Sequence, residues 1–147
     1  MNRKSKLSRL KIQKPLLRGM DANLNRAKEA LRVLEDIARF FLQNKRLIAD
    51  LKTLRHRLTQ ILLKFPASYR ELLEARDSAG DIGQKSWIRD ASKTDLSALW
   101  VSNMKRAQEA LRVLEEFSKA VAAVQSPQFQ KLRFSLYELE KKSFRFF

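Results

Sequence analysis

Arg26 and Arg106 are the residues of this chain best placed to do chemistry. On a helical wheel of 100° per residue each falls inside an apolar arc about 180° wide, beside Asn23 and Asn103 respectively. Glu29 and Glu35 border the first arc, and Glu109 and Glu115 the second. A guanidinium among apolar neighbours needs a carboxylate or a phosphate as partner. Two arrangements meet that need. One is an internal Arg–Glu pair that fixes the register of packed helices. The other is a pair of anion-binding arginines in a shared cleft.

The second candidate is the stretch from Arg76 to Gly83, which carries Asp77 and Asp81 beside Gly80 and Gly83. Two carboxylates four apart can hold Mg²⁺, and Arg76 with Ser78 can meet a phosphate. The same residues also make an ordinary turn, with Asp accepting backbone N–H groups. Chemistry elsewhere is restricted. Cys is absent and His56 is the single histidine, which excludes thiolate sites, Cys nucleophiles and multi-His metal centres. His56 falls opposite the apolar stripe of its segment and is expected to face solvent. No phosphate-binding loop of the G-x-x-x-x-G-K-[ST] type is present.

The elements that must position these groups follow from an internal repeat. Residues 23–36 recur at 103–116 with ten of fourteen positions identical, among them Asn, Arg and Glu as well as the apolar ones. Leu54-Arg55-x-x-Leu58 corresponds to Leu132-Arg133-x-x-Leu136 downstream. Each half therefore reads as a helix hairpin that cannot bury its own stripe. Two such hairpins predict an all-α, four-helix-bundle-like core with pseudo-twofold symmetry. The inward stripes are Leu24, Ala27, Leu31, Leu34, Ala38 and Phe41, then Leu47 to Phe65, then the second copy, then Phe129, Leu132, Leu136 and Leu139. Pro15 is expected to stop any helix before it, and Asp21 or Asn23 to cap the first repeat helix. Asn44 is its expected end, and Ser126 with Pro127 reads as cap and first turn of the last helix. The organisation is a basic tail over 1–18 and one helical domain over 19–147. Within the domain, repeat 1 spans about 21–66, a connecting segment about 67–95 with an irregular loop from about 77, and repeat 2 about 96–144.

Among the 147 residues, Lys and Arg number 31 against 16 Asp and Glu, a net charge of +15. Seven of the basic residues lie in the first 18 positions with no acid, so an excess of eight belongs to the rest. Such an excess attracts phosphorylated or polyanionic ligands without specifying a fold. Three Gly and three Pro are too few for the turns of a sandwich or barrel. No apolar run approaches the ~20 residues of a bilayer span, and the basic N-terminus lacks the apolar stretch of a secretory signal. The expected location is the cytoplasm.

Four ordered motifs also resemble a known family. They are Asp21-Ala22-Asn23-Leu24-Asn25-Arg26-Ala27 running on to Glu35-Asp36, Leu54-Arg55-His56-Arg57, Ala75-Arg76-Asp77-Ser78 with Asp81-Ile82-Gly83, and Asn103 to Glu116. Together they are similar to a helical thiamine-biosynthesis domain of the hydroxymethylpyrimidine phosphate kinase type, often fused ahead of the thiamine-phosphate synthase barrel. That barrel is absent from this sequence. The resemblance implies a phosphomethylpyrimidine kinase that moves the γ-phosphoryl of ATP onto hydroxymethylpyrimidine phosphate, giving the diphosphate. Such a reaction relies on positioning, cations and Mg²⁺ rather than covalent chemistry. Under it Arg26, Arg106 and Arg76 would be catalytic, and Asp77 and Asp81 would hold Mg²⁺. Asn23, Asn103, Glu29, Glu109 and Arg55 would bind the pyrimidine substrate, with helix N-termini at the two asparagines adding backbone N–H groups. The Arg76–Gly83 loop would cover the same cleft. The implied partners are a phosphorylated pyrimidine, a nucleotide and thiamine-phosphate synthase, and a homodimer is compatible.

Two other classes stay open. A non-catalytic module that tethers or dimerises the synthase would have its repeat arginines fully paired to glutamates and no cleft. A nucleic-acid-binding bundle would gather its excess charge on one outer face, against which the even spread of acids along the helices argues.

Overall fold

The computed structural model describes residues 3–84 and 95–147, with side chains from residue 13 onward in the first segment. The fold is all-helical, with no strand among the described residues. Helix α1 covers Arg3–Asp36 and continues into a π-helical turn at Ile37–Phe41. Helix α2 covers Lys45–Leu63, the short α3 Tyr69–Ala75, α4 Leu96–Val121 and α5 Ser126–Ser143, and a 3₁₀ turn closes the chain at Phe144–Phe146.

Local chemistry accounts for most of these boundaries. The Asn44 side chain accepts from the N–H groups of Arg46 and Leu47, both at 3.1 Å, and so caps α2. Ser68 and Glu71 form a reciprocal capping box on α3. Asp95 accepts from Ser97 N–H at 3.1 Å at the head of α4. At α5 the cap position falls on Gln125, one residue ahead of expectation. Ser126 is instead the first helical residue, and its hydroxyl donates to the Glu115 carbonyl at 2.9 Å.

Three expectations about α1 are corrected. Pro15 lies inside the helix rather than ending it. A proline costs a helix one hydrogen bond and some strain, and the Lys-, Leu- and Arg-rich flanks are strong enough helix formers to carry the backbone through. The basic segment over 1–18 is thus helical from Arg3, with Leu17 buried. Asp21 and Asn23 cap nothing, because both sit in mid-helix and are buried. Phe41, expected inward, is 69% exposed. The π-helical turn adds a residue to the period, which rotates Phe40 and Phe41 out of the stripe.

The remaining stripes pack as the sequence predicts. Leu31, Leu34, Leu51, Leu58, Met104, Leu111, Leu114, Leu132 and Leu136 are fully buried, with Trp100 and Phe129. Helix α1 packs chiefly on α4, α4 on α5, α5 on α2, and α2 on α1, which closes a ring of four helices; α3 lies against α1. The two repeat helices are therefore neighbours. At Gly19 of α1 a side-chain carbon would come 2.5 Å from the ring of Phe117 on α4, so glycine permits this close approach. The start of the first repeat thus meets the end of the second, and the two helices run antiparallel about a pseudo-twofold axis.

Candidate functional site: a cleft made twice over

The seam between α1 and α4 opens into a cleft of about 650 Å³. Its lining comes in pairs: Asn23 with Asn103, Arg26 with Arg106, Glu29 with Glu109, Ala30 with Ala110, and Val33 with Val113. Every member of one helix is matched 80 positions later by the same residue type on the other. On α1, positions 23, 26, 30 and 33 form a single stripe at steps of three and four. The buried Ala30 and Ala110 form a small-residue floor, whereas Arg26, Glu29, Arg106 and Glu109 stand exposed at the rim.

The apolar arc of the sequence reading is accordingly narrower than expected. The flank that carries Ala30 and Val33 borders the cleft: Ala30 stays buried, whereas Val33 is 40% exposed. Arg26 and Arg106 are not guanidiniums sunk among core residues.

The asparagines shape both halves alike. Asn23 Nδ2 donates to the Gly19 carbonyl at 2.8 Å, and Asn103 Nδ2 to the Leu99 carbonyl at 2.9 Å. Each buried amide is thereby fixed by its own helix, with its carbonyl oxygen left as the acceptor. Arg26 Nη1 leans back along α1 to Asn23 Oδ1 at 3.4 Å.

Register-fixing Arg–Glu pairs do exist, but other arginines make them. Glu115, buried, accepts from Arg133 of α5 and from Arg112 one turn earlier, at 2.7 and 3.1 Å. Glu35 holds Arg55 of α2 at 3.0 Å and Arg32 at 3.5 Å. Burial lowers the pKa of the Arg133 guanidinium, but the hydrogen bonds it donates to Tyr137 and Glu115, with the Glu115 charge, outweigh that and hold it above its ordinary value. Arg55, expected at the substrate, is therefore placed in this second pair of clusters and not in the cleft.

The Arg76–Gly83 loop is also located elsewhere. Arg76 makes a bidentate pair with Asp21, Nε to Oδ2 at 2.7 Å and Nη2 to Oδ1 at 2.8 Å, and Asp21 raises the guanidinium pKa. This clamp spans 55 residues and ties the loop to the face of α1 that carries Arg18, Asp21, Ala22 and Asn25. There it frames a hollow of about 110 Å³ with Asp77, Ser78 and Asp81. The described part of the loop, through Gln84, does not line the α1–α4 cleft. Asp77 accepts from Gly80 N–H and Asp81 from Gly83 N–H, both at 2.9 Å, so each carboxylate supports a turn. Arg18 and Arg76 already face this pair, a donor set that favours ion pairing over a further cation. Among the described residues no cluster of three metal-ligating side chains occurs. His56 is exposed, as expected.

Sequence reasoning overlooked Asp21 as the anchor of Arg76, and Arg18 beside Asp77. No local pattern pairs Asp21 with Arg76: the two stand 55 positions apart, and on the helical wheel Asp21 lies beyond the apolar arc.

Fold and site together define a duplicated helical domain with one symmetric polar cleft. The chain belongs to the ThiD2 family, whose family model matches residues 18–142. It is 40% identical over 126 residues to a thiamine-phosphate synthase of Synechocystis sp., an alignment covering 85% of this chain and 35% of that protein. It is 37% identical over 132 residues to a thiamine-phosphate synthase of Rhodopirellula baltica, covering 86% and 35%, and 36% identical over 130 residues to one of Nostoc sp., covering 88% and 35%. The chain thus spans about a third of the length of these curated relatives. No solved structure matches it. The expectation of a phosphomethylpyrimidine kinase is corrected by these findings: the curated relatives are named thiamine-phosphate synthase, not kinase. No described helix is long and apolar enough to cross a membrane.

Proposed function

We propose that this chain serves thiamine biosynthesis as a ligand-binding helical module that holds a phosphorylated pyrimidine in the α1–α4 cleft and works with thiamine-phosphate synthase. The carrying observation is the cleft itself, in which Asn, Arg and Glu from both repeats converge over a small-residue floor. An arginine supplies a charge-assisted contact for a phosphate. The fixed carbonyl oxygens of Asn23 and Asn103 supply acceptors for the amino group of an aminopyrimidine, and the Glu29 and Glu109 carboxylates can accept from that amino group or from a ring nitrogen once it is protonated. The volume of about 650 Å³ lies within the range of small-molecule sites. A purely tethering module has less support, because Glu35 and Glu115 pair with arginines outside the cleft and the seam between the two repeat helices holds an open space.

Calorimetric titration with hydroxymethylpyrimidine phosphate tests this reading. Saturable one-site or two-site heat is expected. Arg26→Met should weaken binding about tenfold to a hundredfold, the loss of one hydrogen bond to a charged group. Arg46→Met, on the exposed start of α2, is the control and should leave it unchanged. Absence of saturable binding, or equal affinity in Arg26→Met, would overturn the proposal.

A further inference from the structure

We infer that the face formed by α2 and α5 binds a single-stranded nucleic acid along the seam between the two helices, holding the strand by its sugar-phosphate backbone. The ring of four helices puts this seam on the far side of the bundle from the α1–α4 cleft, so the site is separate from the one proposed for the pyrimidine.

The distribution of charge carries the argument. Acids are spread along the helices, but the excess of cations is not. Residues 45–64 and 126–147, which are α2, α5 and the turns that close them, hold eleven Lys and Arg against three Asp and Glu. All other residues from Gly19 onward balance, thirteen against thirteen. The excess of eight outside the basic tail therefore belongs to these two neighbouring helices. Arg55 and Arg133 turn inward to Glu35 and Glu115, and Glu140 turns to Lys105 of α4. Nine cations then remain on the face, with Asp50 and Glu138.

Six of the nine border the seam. A hollow of about 950 Å³ opens where the start of α2 meets the end of α5, with Arg46, Arg57, Lys142 and Arg145 around it. A smaller one of about 180 Å³ follows toward the other end, with Arg57 again, Lys64 and Lys131. Arg57 belongs to both, so cations border the seam from end to end. All six are exposed, and among the described residues none makes an ion pair. Arg57 donates to the Ser135 hydroxyl across the seam at 3.2 Å, and Arg145 lies over the Phe146 ring. Arg46 to Lys64 is about 27 Å of helix, the rise of about eight stacked nucleotides. That length lies within the range of single-strand sites.

The lining between the cations selects the kind of polyanion. Thr53, Gln60 and Gln128 stand there, side chains of the types that bond phosphate and sugar oxygens. Asp50 and Glu138 line the larger hollow. They repel the side chains of an acidic peptide, whereas bases offer amino groups from which a carboxylate can accept. Helices packed about 8–10 Å apart leave a groove that follows one strand.

Fluorescence anisotropy of the full chain with a labelled oligouridylate of about 16 nucleotides, over a series of salt concentrations, tests the assignment. Saturable binding is expected, with log affinity falling linearly against log salt. Lys142→Gln/Arg145→Gln removes two cations at one end of the seam, and Lys64→Gln/Lys131→Gln two at the other. Each pair should weaken binding several-fold and make the salt slope shallower by about 1.4. Lys28→Gln/Lys119→Gln, on the charge-balanced α1 and α4, removes the same charge and should leave the slope unchanged. The basic first 18 residues are common to all variants, so strand held there drops out of the comparison. Circular dichroism checks that each variant is folded. Absence of saturable binding, a response from one end pair alone, or a control pair as damaging as the seam pairs overturns the assignment. Displacement of the strand by polyglutamate as readily as by unlabelled oligouridylate also overturns it, in favour of an acidic protein partner.

Discussion

Arg133 donates twice to a single oxygen of Glu115, from Nη2 at 2.7 Å and from Nε at 3.1 Å, and both side chains are nearly sealed from solvent. Their counterparts in the first repeat, Arg55 and Glu35, meet at 3.0 Å but with the arginine 22% exposed. The bundle is therefore pinned twice by the same device, once behind a better seal.

Removing one partner of a buried pair leaves the other charge without compensation, at a cost of about 3–5 kcal/mol. Glu115 keeps Arg112 at 3.1 Å when Arg133 is removed, so Arg133→Met should cost part of that loss in denaturant unfolding, and Arg55→Met less still because water reaches its site. Glu115→Gln combined with Arg133→Met should cost less than the two singles summed. Additive costs would show that the pair is not coupled.

Gln43 is a non-glycine residue with positive φ, 48°, between the π-helical turn and the Asn44 cap. The left-handed conformation costs an ordinary residue about 1–2 kcal/mol, and glycine returns part of that gain to the unfolded chain. Gln43→Gly should raise stability by about 0.5–1 kcal/mol and leave ligand binding untouched. A lower melting temperature would count against strain at this turn.

Acid should loosen the chain from its helix ends. Hydrogen bonds from Ser68 hold the Glu71 carboxyl below its ordinary value of 4.5, and those from Ser97 hold Asp95 below 3.8. Lys119 does the same for Glu116. A carboxyl lowered in the folded state stabilises fully above its unfolded value and loses that contribution as pH falls through the folded one. Melting temperature should therefore drop as pH descends through and below the ordinary carboxylate range. Replacing Ser68 and Glu71 by Ala and Gln should make the decline shallower. An unchanged slope would remove the capping box as a source of acid sensitivity.

Deleting Met1 to Lys14 should leave the melting temperature nearly unchanged. Gln13, Lys14 and Pro15 are exposed, and among the residues of α1 whose side chains are described the first buried one is Leu17. A drop comparable to that of Arg133→Met would mean that the basic segment contributes to the core.

Much of this architecture was legible because the repeat preserves polar residues along with the apolar ones. Leucines can recur by periodicity alone, but Asn, Arg and Glu at matched places mark matched surroundings, and they line the cleft. Burial of the α2 and α5 stripes followed from spacing. What escaped were features set by distant or collective terms. Pro15 within α1 depends on the balance between one lost bond and many flanking residues. The outward turn of Phe41 depends on a single extra residue in the helical period. The Arg76–Asp21 clamp joins a loop to the middle of a helix 55 positions away, and no local pattern announces such a pair. Arg55 was legible as half of a repeated Leu-Arg motif, and only the fold shows that its carboxylate is Glu35.

The duplicated lining of the cleft has a consequence for anything that enters it. A guest without twofold symmetry finds two equivalent orientations there, because each contact in one pose has its twin in the reversed pose. Handedness must come from the ends of the seam, where the copies diverge. Beyond Val33 the chain turns through the π-helical segment and exposes Phe40 and Phe41, whereas the corresponding end of the second copy continues as regular helix through Ala120 and Val121. An aromatic doorstep at one end of an otherwise reversible seat gives a guest, or the synthase that receives it, a front and a back.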